Sequence, residues 1–227
     1  MRFRQLTLHT DNVDAQYDFY RSNLQLPVTQ PQPDVTVVQV GATQLIFKQG
    51  ISCRYHFAIN IPENQFAEGK AWLLNRVSLI PFGDRDEIPF PAWEAHAMYF
   101  FDAAGNVVEF IARHRLLNAN YTPFKSEHLL SVSEIGLAAR DVLALATALK
   151  RDVGLPIFDG EGSDSFTAIG DDEGLFIVVP VGRMWFPETG VAAELYPADV
   201  VLDSEGALNY APPGLPYRIV GAIAQSR

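Results

Sequence analysis

Apolar and polar residues alternate with a period of two near residues 5–10, 55–61 and 134–139, as they do in strands with two different faces. Two of these strands open a repeated block. Residues 5–28 and 134–157 align without a gap at an offset of 129. Leu6-Thr-Leu-His-Thr-Asp-Asn-Val lies over Ile135-Gly-Leu-Ala-Ala-Arg-Asp-Val, Leu24-Gln-Leu-Pro-Val28 over Val153-Gly-Leu-Pro-Ile157, and Gly41 over Gly170. In each copy a short polar residue, Asn12 or Asp141, is placed to cap a helix. That helix carries Val13, Tyr17 and Tyr20, or Val142, Leu145 and Leu149, near helical spacing. A Leu-Pro pair ends it, because proline cannot continue a helix. Strands are expected at 35–40 and 44–48 in the first copy and at 165–169 and 174–181 in the second.

A weaker echo at an offset of 51 starts at Tyr55, with a helix from Phe66 to Val77 and strands at 96–101 and 107–112. A shorter unit follows from about residue 195, with strands near 199–202 and 217–222 and little helix. The chain therefore reads as an α+β protein of four tandem βαβββ-like modules, the fourth reduced. The polar segment 114–130, which contains Pro123, divides it. The expected organisation is a paired-module half over 1–113 with the candidate metal site, a bridge over 114–130, and a degenerate second half over 131–227.

Composition narrows the function. Of 227 residues, 48% are hydrophobic and 19% charged, so a substantial core is expected. The formal net charge of −10 and the lack of any basic cluster argue against nucleic acid and anionic membrane surfaces. No apolar run reaches the roughly 18–20 residues of a spanning helix, and Met1-Arg2-Phe3-Arg4-Gln5 has no apolar signal-peptide core. The expectation is a cytoplasmic protein, monomeric or homodimeric, acting on a small molecule. Cys53, the one cysteine, excludes an internal disulfide and reads as a packed thiol. Gly160-Glu-Gly162 is followed by acidic residues, unlike a phosphate loop, and no serine elbow is present.

One segment carries the chemistry. Tyr99-Phe-Phe-Asp-Ala-Ala-Gly-Asn-Val-Val-Glu-Phe110 reads as two strands joined by an Asp-x-x-Gly-Asn turn, with Glu109 planted among Val108, Phe110 and Ile111. A buried carboxylate needs a partner. A metal ion and Arg113 are the two candidates. Alternation puts Ala97, Tyr99 and Phe101 on one face, so His96 is expected to face a covering helix. His9 shares a face with Gln5 and Thr7, where imidazole could carry a proton. Asn60 shares the face of His56. Trp185, in Arg183-Met-Trp-Phe-Pro187, is expected to cover a pocket or belong to a satellite core; Trp72 and Trp93 are expected in satellite cores.

With the repeat and the Asp-x-x-Gly-Asn-x-x-Glu turn together, the chain resembles the vicinal oxygen chelate superfamily: glyoxalase I, extradiol dioxygenases, fosfomycin-resistance transferases and bleomycin-resistance proteins. Phe19-Tyr20-Arg-Ser-Asn-Leu-Gln-Leu-Pro27 also resembles the helix end of that family's first module; the likeness fades after about residue 190. The resemblance implies paired modules curled into two half-barrels, with metal ligands on the first and last strands. Carried over slot by slot, it implies Gln5, His56 and Glu109 as ligands of one divalent ion (Fe, Mn, Zn, Ni or Co). The remaining slot falls on apolar Leu45 or Ile46. Glu134 occupies the first-strand slot of the third module without visible co-ligands, so the second half is expected to be scaffold. Tyr99 and His9 are then the proton carriers, and Thr7, Asn60 and Arg113 substrate contacts. The implied function is a metal-dependent isomerase, lyase or ring-cleaving dioxygenase on a vicinal-oxygen substrate. The alternative is a metal-free binding protein of the bleomycin-resistance type.

Overall fold

The computed structural model describes residues 1–204 and 207–223. The first module holds β1 (Phe3–Thr10), α1 (Val13–Asp18, continued by a wider turn over Phe19–Asn23), β2 (Val28–Gln32), β3 (Val35–Val40) and β4 (Thr43–Gln49). The second holds β5 (His56–Ile61), α2 (Phe66–Leu74), β6 (Ile88–Phe90), β7 (Ala95–Phe101) and β8 (Val107–Arg113). The third holds β9 (Ser131–Ala139), α3 (Val142–Ala148), β10 (Thr167–Asp171) and β11 (Gly174–Pro180). The reduced fourth keeps β12 (Ala198–Ser204), β13 (Leu208–Tyr210) and β14 (Tyr217–Ile223). No helix among the described residues is long and apolar enough to cross a membrane.

The repeated residues do repeated work. Asn12 and Asp141 accept hydrogen bonds from the backbone N–H of Ala15 and Ala144, capping α1 and α3. Gly41 and Gly170 both take positive φ, and a Cβ there would stand 1.9 Å from the Leu130 carbonyl oxygen or 2.1 Å from that of Gly174.

Two seven-stranded sheets result, ordered β13-β14-β12-β1-β4-β3-β2 and β10-β11-β9-β5-β8-β7-β6. We call them the outer and the inner sheet, since the first joins modules one and four and the second modules two and three. In each, the first strands of two modules pair antiparallel: β1 with β12, and β5 with β9. The sheets therefore do not follow the expected halves 1–113 and 131–227; each draws on both. The reason lies in segment 114–130, which returns the chain to β5, where Leu130 N–H donates to the Asn60 carbonyl at 2.8 Å. That places β9 beside β5 and leaves β1 free to take β12.

The convex faces pack together. Leu6, Leu8 and Val200 of the outer sheet join Phe57, Ile59 and Val178 of the inner one in a single buried cluster. Tyr20 stacks on Phe47 at 5.5 Å, and its neighbour Phe19 on Phe100 at 6.4 Å. Each fully buried Leu or Phe contributes about 1.5–3 kcal/mol, so this cluster sets how the sheets meet. A polar clamp adds direction. Asp102, in the Asp-x-x-Gly-Asn turn, accepts from Gln16 Nε2 at 2.7 Å, the Tyr20 hydroxyl at 2.9 Å and Asn106 Nδ2 at 2.8 Å.

The concave face of the inner sheet carries small residues, Ala58, Ala97, Gly136 and Ala138, and so leaves room. The segment after β11 folds back over it, with Trp185 N–H donating to Val191 and Gly182 N–H to Ala193, both at 2.8 Å. Trp185 comes to rest on β9: a Cβ on Gly136 would meet its ring at 2.3 Å.

Candidate metal centre

Three strands of the inner sheet bring one buried side chain each to a common point. His56 opens β5, Glu109 lies mid-strand on β8 and Glu134 on β9; Ala58 faces Glu109 in one register and Glu134 in the other. One ligand atom from each lies within 4.8 Å of the other two. His56 Nε2 is 3.6 Å from Glu109 Oε2 and 3.8 Å from Glu134 Oε2.

The surroundings fix each donor. His56 Nδ1 lies 3.2 Å from the Val107 carbonyl oxygen. A carbonyl can only accept, so Nδ1 carries a proton, and Nε2 faces the two carboxylates. Arg113, wholly buried at the end of β8, donates Nη2 to Glu134 Oε1. Its Nη1 lies 3.5 Å from Asp172 and its Nε donates to Asn60 Oδ1 at 3.3 Å. Glu134 Oε2 remains for the centre. Tyr99, opposite Glu109 across the β7–β8 ladder, gives its hydroxyl to the Glu109 carboxylate. Burial first, and then the charge of Glu134, push the Glu109 carboxyl well above its usual range, against the pull of Arg113 and Tyr99.

Two carboxylates and an imidazole nitrogen facing one point form a set that could hold a cation, the alternative being a proton shared within the cluster. The donor set fits a divalent ion, whose charge two carboxylates balance. Arg113 and the Val107 carbonyl supply the outer hydrogen bonds that orient ligands in metal sites.

The centre lies at the floor of a cavity of about 190 Å³. Its walls are aromatic: Phe90, Trp93 and Tyr99 from the second module, Phe166 from the third, and Trp185 and Phe186 from the covering segment. The ring of His56 lies 5.1 Å from Trp185 and 6.3 Å from Tyr99.

The residues expected from sequence divide. His56, Glu109 and Tyr99 come together. Gln5 does not: it stands on β1 in the outer sheet, where its amide donates to Thr7 Oγ1 at 3.2 Å. Its place is taken by Glu134, because the inner cup pairs module two with module three. The expectation that the second half is scaffold falls with it. Thr7 and His9 sit on β1 as well, away from this cavity. Asn60 turns to Arg113 and to the Asp172 carbonyl, so both Asn60 and Arg113 support the centre from behind and neither lines the cavity. His96 faces α2, 5.7 Å from Phe66. Trp93 packs against the smaller of the two buried clusters, as expected, and also forms a wall of the cavity. Glu134 was visible in the sequence as the match of Gln5 at the offset of 129; what it lacked was a partner module.

No protein-family model matches the sequence, and no curated protein does. Solved structures match its fold. A "putative dioxygenase" from Bacillus subtilis subsp. subtilis str. 168 superposes with TM-score 0.63 at 13% identity, over 97% of this chain and 85% of that one. Glyoxalase I from Zea mays gives TM-score 0.57 at 12% identity, over 98% of this chain and 92% of that one.

Proposed function

The chain has the fold of the vicinal oxygen chelate superfamily, and on that fold we propose a metal-dependent enzyme acting on a small oxygenated substrate. His56, Glu109 and Glu134 hold one divalent ion. The observation that carries the reading is the convergence of His56 Nε2 and two carboxylates, buried and mutually within 4.8 Å, at the base of a cavity. Three protein ligands leave coordination positions for substrate oxygens, as catalytic sites do. Once bound, the ion supplies Lewis acidity toward substrate oxygens.

The chain's own residues do the rest. Tyr99 stands on the cavity wall with its hydroxyl proton on Glu109, so it orients that carboxylate, and its oxygen can accept from a substrate hydroxyl. Arg113 keeps Glu134 in one orientation and takes one of its oxygens out of play. Trp185 and Phe186 cover the floor and exclude water, which strengthens every charge interaction there. Isomerase, lyase and ring-cleaving outcomes all share these requirements.

A second reading has its own support. Arg113 and a proton held within the cluster would balance Glu109 and Glu134 without metal, leaving an aromatic binding cavity. Elemental analysis of protein purified without chelator separates the two. About one Fe, Mn, Zn, Ni or Co per chain, lost in Glu134→Gln and retained in Gln5→Ala, supports the enzyme. No uptake after repletion supports the binding protein.

A further inference from the structure

Arg183 stands in the same cavity as a cation without an anion. Its guanidinium lies over the Phe166 ring, 5.5 Å from the centroid. Among the described residues it makes no side-chain hydrogen bond and no ion pair, although the chain as a whole carries a formal charge of −10. Burial alone pulls its pKa below the ordinary value. A half-buried arginine with spare donors on the wall of a cavity is a recognition group in want of a partner.

The rest of the cavity describes that partner. Its volume of about 190 Å³ compares with the roughly 150 Å³ in which a protein core can hold benzene, so one ring with a few substituent atoms fits. The walls flanking Arg183 are flat: Phe90, Trp93, Phe166 and Phe186. The floor carries two carboxylates, which repel an anionic end and direct it toward the guanidinium.

We propose that Arg183 is the specificity-determining residue of this cavity and that the ligand is a planar, one-ring carboxylate. Its ring lies between the aromatic walls, its carboxylate pairs with the guanidinium, and its opposite edge meets the floor. The last clause rests on the enzyme reading above; the first two do not.

The test uses the metal-free wild-type chain, so that the floor offers nothing to an anion. Benzoate, benzamide and acetate are titrated against the fluorescence of Trp93 and Trp185. Benzoate is expected to bind at least about tenfold tighter than its neutral isostere benzamide, and tighter than acetate, which lacks the ring. Arg183→Met should remove the preference for benzoate over benzamide. Arg183→Lys should keep only part of it, since lysine lacks the planar fork. Among the described residues the Arg183 side chain has no hydrogen bond to lose, only its place over Phe166, so both variants should melt close to the wild type. Equal binding of benzoate and benzamide, or a preference that survives Arg183→Met, overturns the proposal. The two readings fail separately: metal uptake without a carboxylate preference defeats this one, and the preference without uptake defeats the enzyme.

Discussion

Replacing Glu109 with glutamine should raise the stability of the metal-free protein while removing its response to metal. The substitution keeps shape and an acceptor oxygen but deletes one of two buried negative charges. The ligand atoms of Glu109 and Glu134 lie within 4.8 Å, where two like charges repel by about 3.5 kcal/mol at an effective dielectric near 20. Arg113 and any proton taken up by the centre offset part of that, leaving a gain of about 1–3 kcal/mol. For a chain of this size, 1 kcal/mol moves the melting temperature by about 2–4 °C. Metal works in the opposite sense: saturation at a hundredfold excess over Kd adds about 2.7 kcal/mol to the wild type. Differential scanning fluorimetry with EDTA and with Mn, Fe or Zn therefore has four cells. With EDTA, Glu109→Gln should melt higher than the wild type; with metal, the order should reverse or close, because the variant has lost a charged ligand. A variant that melts lower under EDTA, or gains as much from metal as the wild type, refutes the three-residue centre.

Three further outcomes follow from the geometry. Gln5→Ala should leave metal uptake and the metal-induced melting shift unchanged, since Gln5 stands in the outer sheet with its amide on Thr7; lost uptake in elemental analysis or a lost shift in scanning fluorimetry would contradict the sheet assignment. Gly136→Ala places a methyl 2.3 Å from the Trp185 ring, and should cost about 1–3 kcal/mol in urea denaturation and shift tryptophan emission as the indole leaves its seat. Burial holds the Asp102 carboxyl above its ordinary 3.8 despite the donors around it. Its protonated form is thus favoured by folding, a contribution fully present below that value and lost as pH rises through the raised one. Asp102→Asn should be less stable than the wild type by about 1–3 kcal/mol through lost acceptors, with the deficit narrowing as pH rises above 3.8; a deficit that widens with rising pH in urea melts would reverse the sign.

The modules were legible because their determinants are local. Caps at Asn12 and Asp141, the Leu-Pro stops and the glycine needed at 170 act within a few residues of themselves. Glu109 was legible for a related reason, as an acid in an apolar strand must have a partner. The partner modules were not legible. Pairing of β5 with β9, and of β1 with β12, depends on where the polar segment 114–130 delivers the chain, and no residue in it announces that. Gln5 and Glu134 occupy equivalent slots, so the error in ligand choice is the error in module pairing and nothing more. The aromatic walls were equally hidden: Phe90 ends edge strand β6, while Phe166 and Phe186 come from two separate connections, and they meet only in the folded cup.

Nesting one pair of modules inside the other has a consequence for how the molecule is made. His56, Glu109 and Glu134 straddle segment 114–130, yet all belong to the sheet closed by the β5–β9 contact. During synthesis that cup can assemble, and its donors can meet, before β12 leaves the ribosome. The sheet begun by β1 must wait with an open edge until β12 arrives. A nick between residues 114 and 130 would then divide the donors between two fragments, and their reunion on mixing could be followed by the return of metal uptake.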